Sequence, residues 1–309
     1  MSVDVSSPPD SPAAIDAVPL RHPWRWVAAI VILILVGLFL YGAATNAAYG
    51  WGTYGQYLFN KRVLLGVFNT LQLTVYSMLL AIVLAVILAV MRLSPNPVFR
   101  WVSWVYLWIF RGTPVYVQLV FWGLIPVIYQ NIQLGVPFGP SFLHINLQGL
   151  SIAFLLAVLG LGLNEAAYLA EIIRAGISSV PEGQTEASTA LGMSWTLTMW
   201  RTVLPQAMRV IIPPTGNEVI SMLKTTSLVT AVPYTLDLFS ITSREIAART
   251  FEPIPLLLVA ATWYLLVTSI LMVGQFYLER YFSRGVARKL TTKQLEALAK
   301  AQMMGEPHP

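Results

Sequence analysis

The chain of 309 residues has no cysteine, and only 11% of its residues are charged. Without thiols there are no disulfides, zinc–thiolate centres or cysteine nucleophiles. The three histidines, His22, His144 and His308, are scattered and show no metal-ligand spacing. No Ser–His–Asp grouping stands out either. No Gly-x4-Gly-Lys-Ser/Thr phosphate loop occurs, so the chain lacks that nucleotide-binding element. A soluble domain carries about 25% charged residues, more than twice the share found here. The net charge of +5 raises the question of nucleic acid. No basic–aromatic stripe or RNA-binding motif supports it, and surplus Lys and Arg at the flanks of membrane helices explain the charge instead.

What is present is apolar: 56% of the residues are hydrophobic. That much apolar surface cannot be hidden inside one chain, so lipid is the expected solvent. Six candidate spans appear, over residues 24–43, 65–91, 105–128, 150–177, 207–239 and 255–277. The first is long enough to cross a bilayer, which takes about 20 residues. It lacks the short apolar core and cleavage site of a secretory signal. The third is preceded by an amphipathic stretch with Trp101, Trp104, Tyr106 and Trp108. The fifth is weak, because Pro213-Pro214, Gly216 and Pro233 interrupt it. Arg21 and Arg25, Arg92 and Arg100, Arg201 and Arg209, and Arg280, Arg284, Arg288 and Lys289 all fall on one side of a six-span arrangement. The positive-inside bias therefore puts both termini in the cytoplasm.

A polar connection follows the fourth span. Glu182 to Leu191 favours helix, Gly192 permits a tight turn, and Ser194 is placed to cap a second short helix before Leu204-Pro205. Within it stand Glu186-Ala187-Ser188, then Gly192, Thr202 and Leu204-Pro205. This spacing resembles the signature loop of ATP-binding-cassette importer permeases, Glu-Ala-Ala-x3-Gly-x9-Ile-x-Leu-Pro. Ser188 stands for the last Ala and Thr202 for the Ile. The resemblance extends from about Gly66 to Tyr281. It takes in Phe110-Arg111-Gly112-Thr113-Pro114, Gln118, Ala167-Tyr168, Glu171, Arg174, Gly183-Gln184, Asn217-Glu218, Lys224 and Asp237-Leu238. Together these are similar to the polar-amino-acid branch of the family.

The resemblance implies an all-α membrane protein with the type I importer fold. About six transmembrane helices are expected: a five-helix family core plus one extra at the N-terminus. Around the permease core (65–282), residues 1–20, rich in Ser, Pro, Asp and Ala, read as a disordered cytoplasmic tail, 21–64 as the extra helix with an external loop, and 283–309 as a cytoplasmic tail. The coupling loop lies at about 178–206. The resemblance also implies a multi-pass protein of the cell inner membrane that performs no bond chemistry and binds no cofactor. ATP and Mg would sit on a dimer of separate cytoplasmic ATPase subunits. The other implied partners are a second permease, identical or paralogous, a periplasmic or lipid-anchored solute-binding protein, and a small polar amino acid as cargo. Gly183, Glu186, Ala187, Ser188, Gly192, Leu204 and Pro205 would form the ATPase coupling surface.

Charged residues inside apolar helices are the remaining signal. A charge at the bilayer centre costs about 2.5–3.5 kcal/mol on insertion scales, so it must be paired or face a wet path. Glu171 and Arg174, three apart, suit a structural pair. Glu165 and Tyr168 share a helical stripe, as do Asn217, Ser221 and Lys224, with Glu218 beside them. Two readings stay open for these six: they line a translocation path, or Glu218 and Lys224 balance charge between packed helices. Arg111 is read as structural, snorkelling or lying at a permease–permease contact. A secondary amino-acid transporter driven by an ion gradient is the alternative function. Broken helices and buried charges suit it equally well, and only the cytoplasmic loop argues against it.

Overall fold

The computed structural model describes residues 23–135 and 141–282. The tails expected over residues 1–20 and 283–309 lie outside them, as does His308. The chain divides into two compact units between Tyr49 and Gly50. The first contains α1 (Pro23–Thr45), apolar throughout and without a charge after Arg25. The expected boundary between residues 64 and 65 falls inside α3.

The second unit begins with α2 (Trp51–Leu58) and α3 (Lys61–Leu93), then α4 (Pro97–Gly112) and α5 (Val115–Ile128). A hairpin of β1 (Asn131–Gly135) and β2 (Ser141–Asn146) leads to α6 (Leu150–Ser178). Next come α7 (Glu182–Ala190), α8 (Trp195–Thr198), a π turn (Met199–Val203) and α9 (Leu204–Thr225). After a 3-10 turn (Thr226–Ala231), α10 (Leu238–Ser240), a second π turn (Ile241–Ile246) and α11 (Ala247–Thr250) run on to α12 (Pro253–Phe282). Among the described residues the architecture is helical apart from the antiparallel pair β1 and β2, which occupies part of the connection between the third and fourth expected spans.

Among the described residues four helices are long and apolar enough to cross a membrane: α1, α3, α6 from Ser151, and α12. Helix α5 is apolar but short. At 1.5 Å per residue α9 is about 33 Å long, but its sequence, with Arg209, Glu218, Lys224 and several other polar residues, is less apolar than those four.

Helices α3 and α6 pack along much of their length. Ala81 and Ala85 of α3 and Ala157 and Ala166 of α6 are fully buried, with Leu73, Leu161, Leu169 and Leu119 of α5 around them. Small side chains let the backbones approach closely, which is how helices associate where lipid is as apolar as leucine. A Cβ on Gly162 would lie 3.1 Å from the Ser77 carbonyl oxygen and 2.8 Å from a Leu80 methyl. Polar ties add direction. Ser103 of α4 donates to the Leu88 carbonyl (2.9 Å) and Tyr106 to that of Leu163 (2.8 Å). Trp263 of α12 donates to the Leu58 carbonyl at 2.7 Å, which joins α2 to α12.

Two expected features change. The third span is not one helix: the chain breaks at Thr113-Pro114, because a proline disfavours helical backbone in the residue before it. The fifth does not break at Pro213-Pro214, since α9 runs through both prolines. Thr215 donates to the Ile211 carbonyl (2.8 Å), and Gln275 of α12 donates to the Pro213 carbonyl (2.6 Å). The break comes instead after Thr225, where the 3-10 turn leads into an extended backbone at Val232.

Candidate functional site

The break between α4 and α5 leaves carbonyls without helical partners, and two amides answer them. Gln118 donates to the Phe110 carbonyl (3.0 Å) and to both oxygens of Thr113 (3.1 and 2.7 Å). Asn164 of α6 donates to the Phe110 carbonyl (3.0 Å) and the Gln118 side-chain oxygen (3.1 Å). The break is thereby held against α6, and beside it opens a cavity of about 530 Å³.

Its walls come from three places. Arg111, Thr113 and Pro114 come from the break, Asn164, Glu165 and Tyr168 from α6, and Glu218, Ser221 and Thr225 from α9. The Arg111 guanidinium lies over the Tyr168 ring, 5.4 Å from its centroid, in cation–π contact. Glu165 is buried, and its Oε1 has no hydrogen-bond partner. The Glu218 carboxyl approaches it from α9. Two carboxyls and one guanidinium therefore share a single cavity among apolar helices.

Glu165, Tyr168, Glu218 and Ser221 meet in this cavity. Asn217 and Lys224 do not line it; both are exposed elsewhere on α9. The cause is helical phase. Residues 217 and 224 lie seven apart on one stripe, whereas 218, 221 and 225 form the stripe that faces α6. One residue of phase is a 100° rotation. The cation of the cavity is Arg111, a residue the sequence suggested only for a structural role. Outside the cavity, Arg174 donates to Glu171 Oε2 through Nε (3.0 Å) and Nη2 (2.8 Å).

The second region is the loop after α6. Helix α7 ends in a Schellman turn: Gly192 N–H donates to the Thr189 carbonyl (2.9 Å) and Met193 N–H to that of Ser188 (3.1 Å). Gly192 has φ 75°, a left-handed conformation natural to glycine. Ser194 caps α8 by accepting from Leu197 N–H (3.4 Å). Leu204-Pro205 does not end a helix. It follows the π turn directly and opens α9. Gly183, Glu186, Ala187 and Gly192 are exposed and Ser188 is buried. Three large apolar residues that the motif does not mark, Leu191, Trp195 and Trp200, are 82%, 72% and 69% exposed. The signal that could have found them is bulky apolar side chains within an otherwise polar connection.

Comparison with known proteins identifies the family. The family model described as binding-protein-dependent transport system inner membrane component matches residues 81–284. The chain is 62% identical over 292 residues to the arginine transport system permease protein ArgU of Corynebacterium glutamicum, covering 94% of this chain and 90% of that protein. It is 39% identical over 212 residues to the histidine/lysine/arginine/ornithine transport system permease protein HisM of Escherichia coli K12, covering 67% and 83%. Among solved structures it is similar to a chain from the crystal structure of an amino acid ABC transporter with histidines. The TM-score is 0.59 at 30% identity, covering 71% of this chain and 94% of that one.

Proposed function

Because the chain belongs to the binding-protein-dependent inner membrane components, the multi-pass permease subunits of ATP-binding-cassette importers, we propose that its cargo is a cationic amino acid of the arginine class. The observation that carries this is the cavity, where Glu165 and Glu218 approach one another and Arg111 shares the lining. A guanidinium or ammonium side chain between two carboxylates forms charge-assisted hydrogen bonds. The single guanidinium of Arg111 supplies the partner for the cargo's own carboxylate. Tyr168 and Ser221 complete the walls. The similarity to an arginine permease points the same way, and the relatives give no support to a gradient-driven carrier.

In this reading ATP and Mg sit on a dimer of cytoplasmic ATPase subunits, and a solute-binding protein delivers the amino acid from outside. Both termini lie in the cytoplasm, as does the loop from Glu182 to Val203. Glu186, Ala187, Leu191 and Trp195 dock on the ATPase, with Gly183 and Gly192 shaping the loop. An exposed apolar cluster outside the lipid is what a partner surface requires. A second permease, identical or paralogous, completes the pathway, and ATPase closure rocks the two bundles against each other. Helix α1 is an addition to the family core, and Glu171–Arg174 braces the end of α6.

The test is ATPase activity of the assembled complex in nanodiscs with its binding protein and a panel of amino acids. Stimulation by arginine and other cationic amino acids, with none from acidic ones, is expected. Equal stimulation by acidic and cationic amino acids would overturn the substrate assignment.

A further inference from the structure

Within α7 only Ser188 is buried. Its hydroxyl lies 2.8 Å from the Gln184 carbonyl oxygen and 3.0 Å from Thr202 Oγ1. A hydroxyl has one proton. The Gln184 carbonyl can only accept, so Ser188 donates there and Thr202 donates to Ser188. The Gln206 amide nitrogen, in the first turn of α9, donates to the Thr202 carbonyl (2.9 Å) and reaches Gln184 Oε1 at 3.3 Å. Gln184, Ser188, Thr202 and Gln206 thus close a ring between α7 and the start of α9. From Thr202 the helical backbone continues without a break to Glu218 and Ser221 at the cavity.

We propose that this ring is a clasp that transmits movement of α7 to α9, with Thr202 and Ser188 as its positioning residues. The proposal rests on the reading of α7 as the docking helix. The neighbouring residues of α7 are exposed, so they offer the ATPase a surface but give α7 little grip on its own chain. The directional bonds of Ser188 fix the rotation of α7 about its axis, which a slack apolar contact would leave free. With the clasp closed, a push on α7 becomes a push along α9. With it open, α7 follows the ATPase and the cavity does not.

The experiment uses the full complex of permease, ATPase and binding protein in proteoliposomes. It reads two quantities: ATPase subunit retained on purification, and arginine transported per ATP hydrolysed. Thr202→Val keeps the side-chain shape and removes the donor. It is expected to lower transport per ATP about fivefold, the worth of one net hydrogen bond, with the ATPase fully retained. Thr202→Ser restores the ratio. Ser188→Ala with Thr202→Val is expected to be no worse than Ser188→Ala alone, since Ser188→Ala already removes the bond they share. A wild-type ratio in Thr202→Val, additive losses in the double variant, or loss of the ATPase from Thr202→Val would each overturn the clasp. Glu186→Arg is run alongside. If it leaves the ATPase bound, the docking reading itself falls, and that result is distinct from a clasp that is intact but idle.

Discussion

At the cavity the charged groups Arg111, Glu165 and Glu218 point inward, while at the loop Leu191, Trp195 and Trp200 point outward. Both patterns reverse what a soluble protein does, for different reasons. Around the cavity the outer solvent is lipid, so polar groups gather where only the protein or a wet path can serve them. At the loop, exposed indoles in an otherwise polar connection are what a partner protein would cover, the role proposed for them above. One helix joins the two: α9 starts in the loop and carries Glu218 and Ser221 to the cavity. On the proposed reading, this helix carries a chemical event outside the membrane to a binding event within it.

Separating the two regions by substitution sharpens this contrast, and the largest effect is expected at the turn. Gly192→Trp forces a bulky side chain onto a left-handed backbone and into the docking surface. ATP-driven uptake should fall about a hundredfold, with the ATPase lost on co-purification; retention of the ATPase would show that the turn is not at the interface. Trp195→Ala should weaken ATPase binding about thirtyfold, as loss of an aromatic anchor does, measured by titrating the subunit onto the permease in nanodiscs. Glu218→Gln keeps shape and removes charge. Arginine uptake should drop about tenfold while the ATPase stays bound, and a loss of both together would erase the distinction between the regions. Lys224→Gln, on the stripe turned away from the cavity, should change uptake less than about twofold. A loss as large as that of Glu218→Gln would restore Lys224 to the path.

Much of the fold was legible in advance. Apolar runs of span length located α1, α3, α6 and α12, because lipid leaves a backbone few choices besides helix. The loop was legible because caps and turns act locally. Ser194, Gly192 and the polar run from Glu182 to Ala190 hold their own conformation within a few residues. The hairpin at Asn131–Asn146 was missed, since a two-stranded ribbon carries a weak periodic signal. The prolines misled in both directions. Thr113-Pro114 looked like part of one span and breaks it. Pro213-Pro214 looked like a break, and α9 runs through it.

The sequence by itself determined that this is a membrane protein, where its main apolar spans lie, and that it presents a polar loop of recognisable spacing. Composition, run length and local turn chemistry act over short stretches and need no partner from afar. Which charges meet was decided only by the tertiary structure. Arg111 joins Glu165 and Glu218 because Gln118 and Asn164 hold the α4–α5 break against α6, and Lys224 stays out because α9 is turned by one residue of phase. Rotation about a helix axis depends on packing with distant neighbours, and a single helix viewed alone does not contain it.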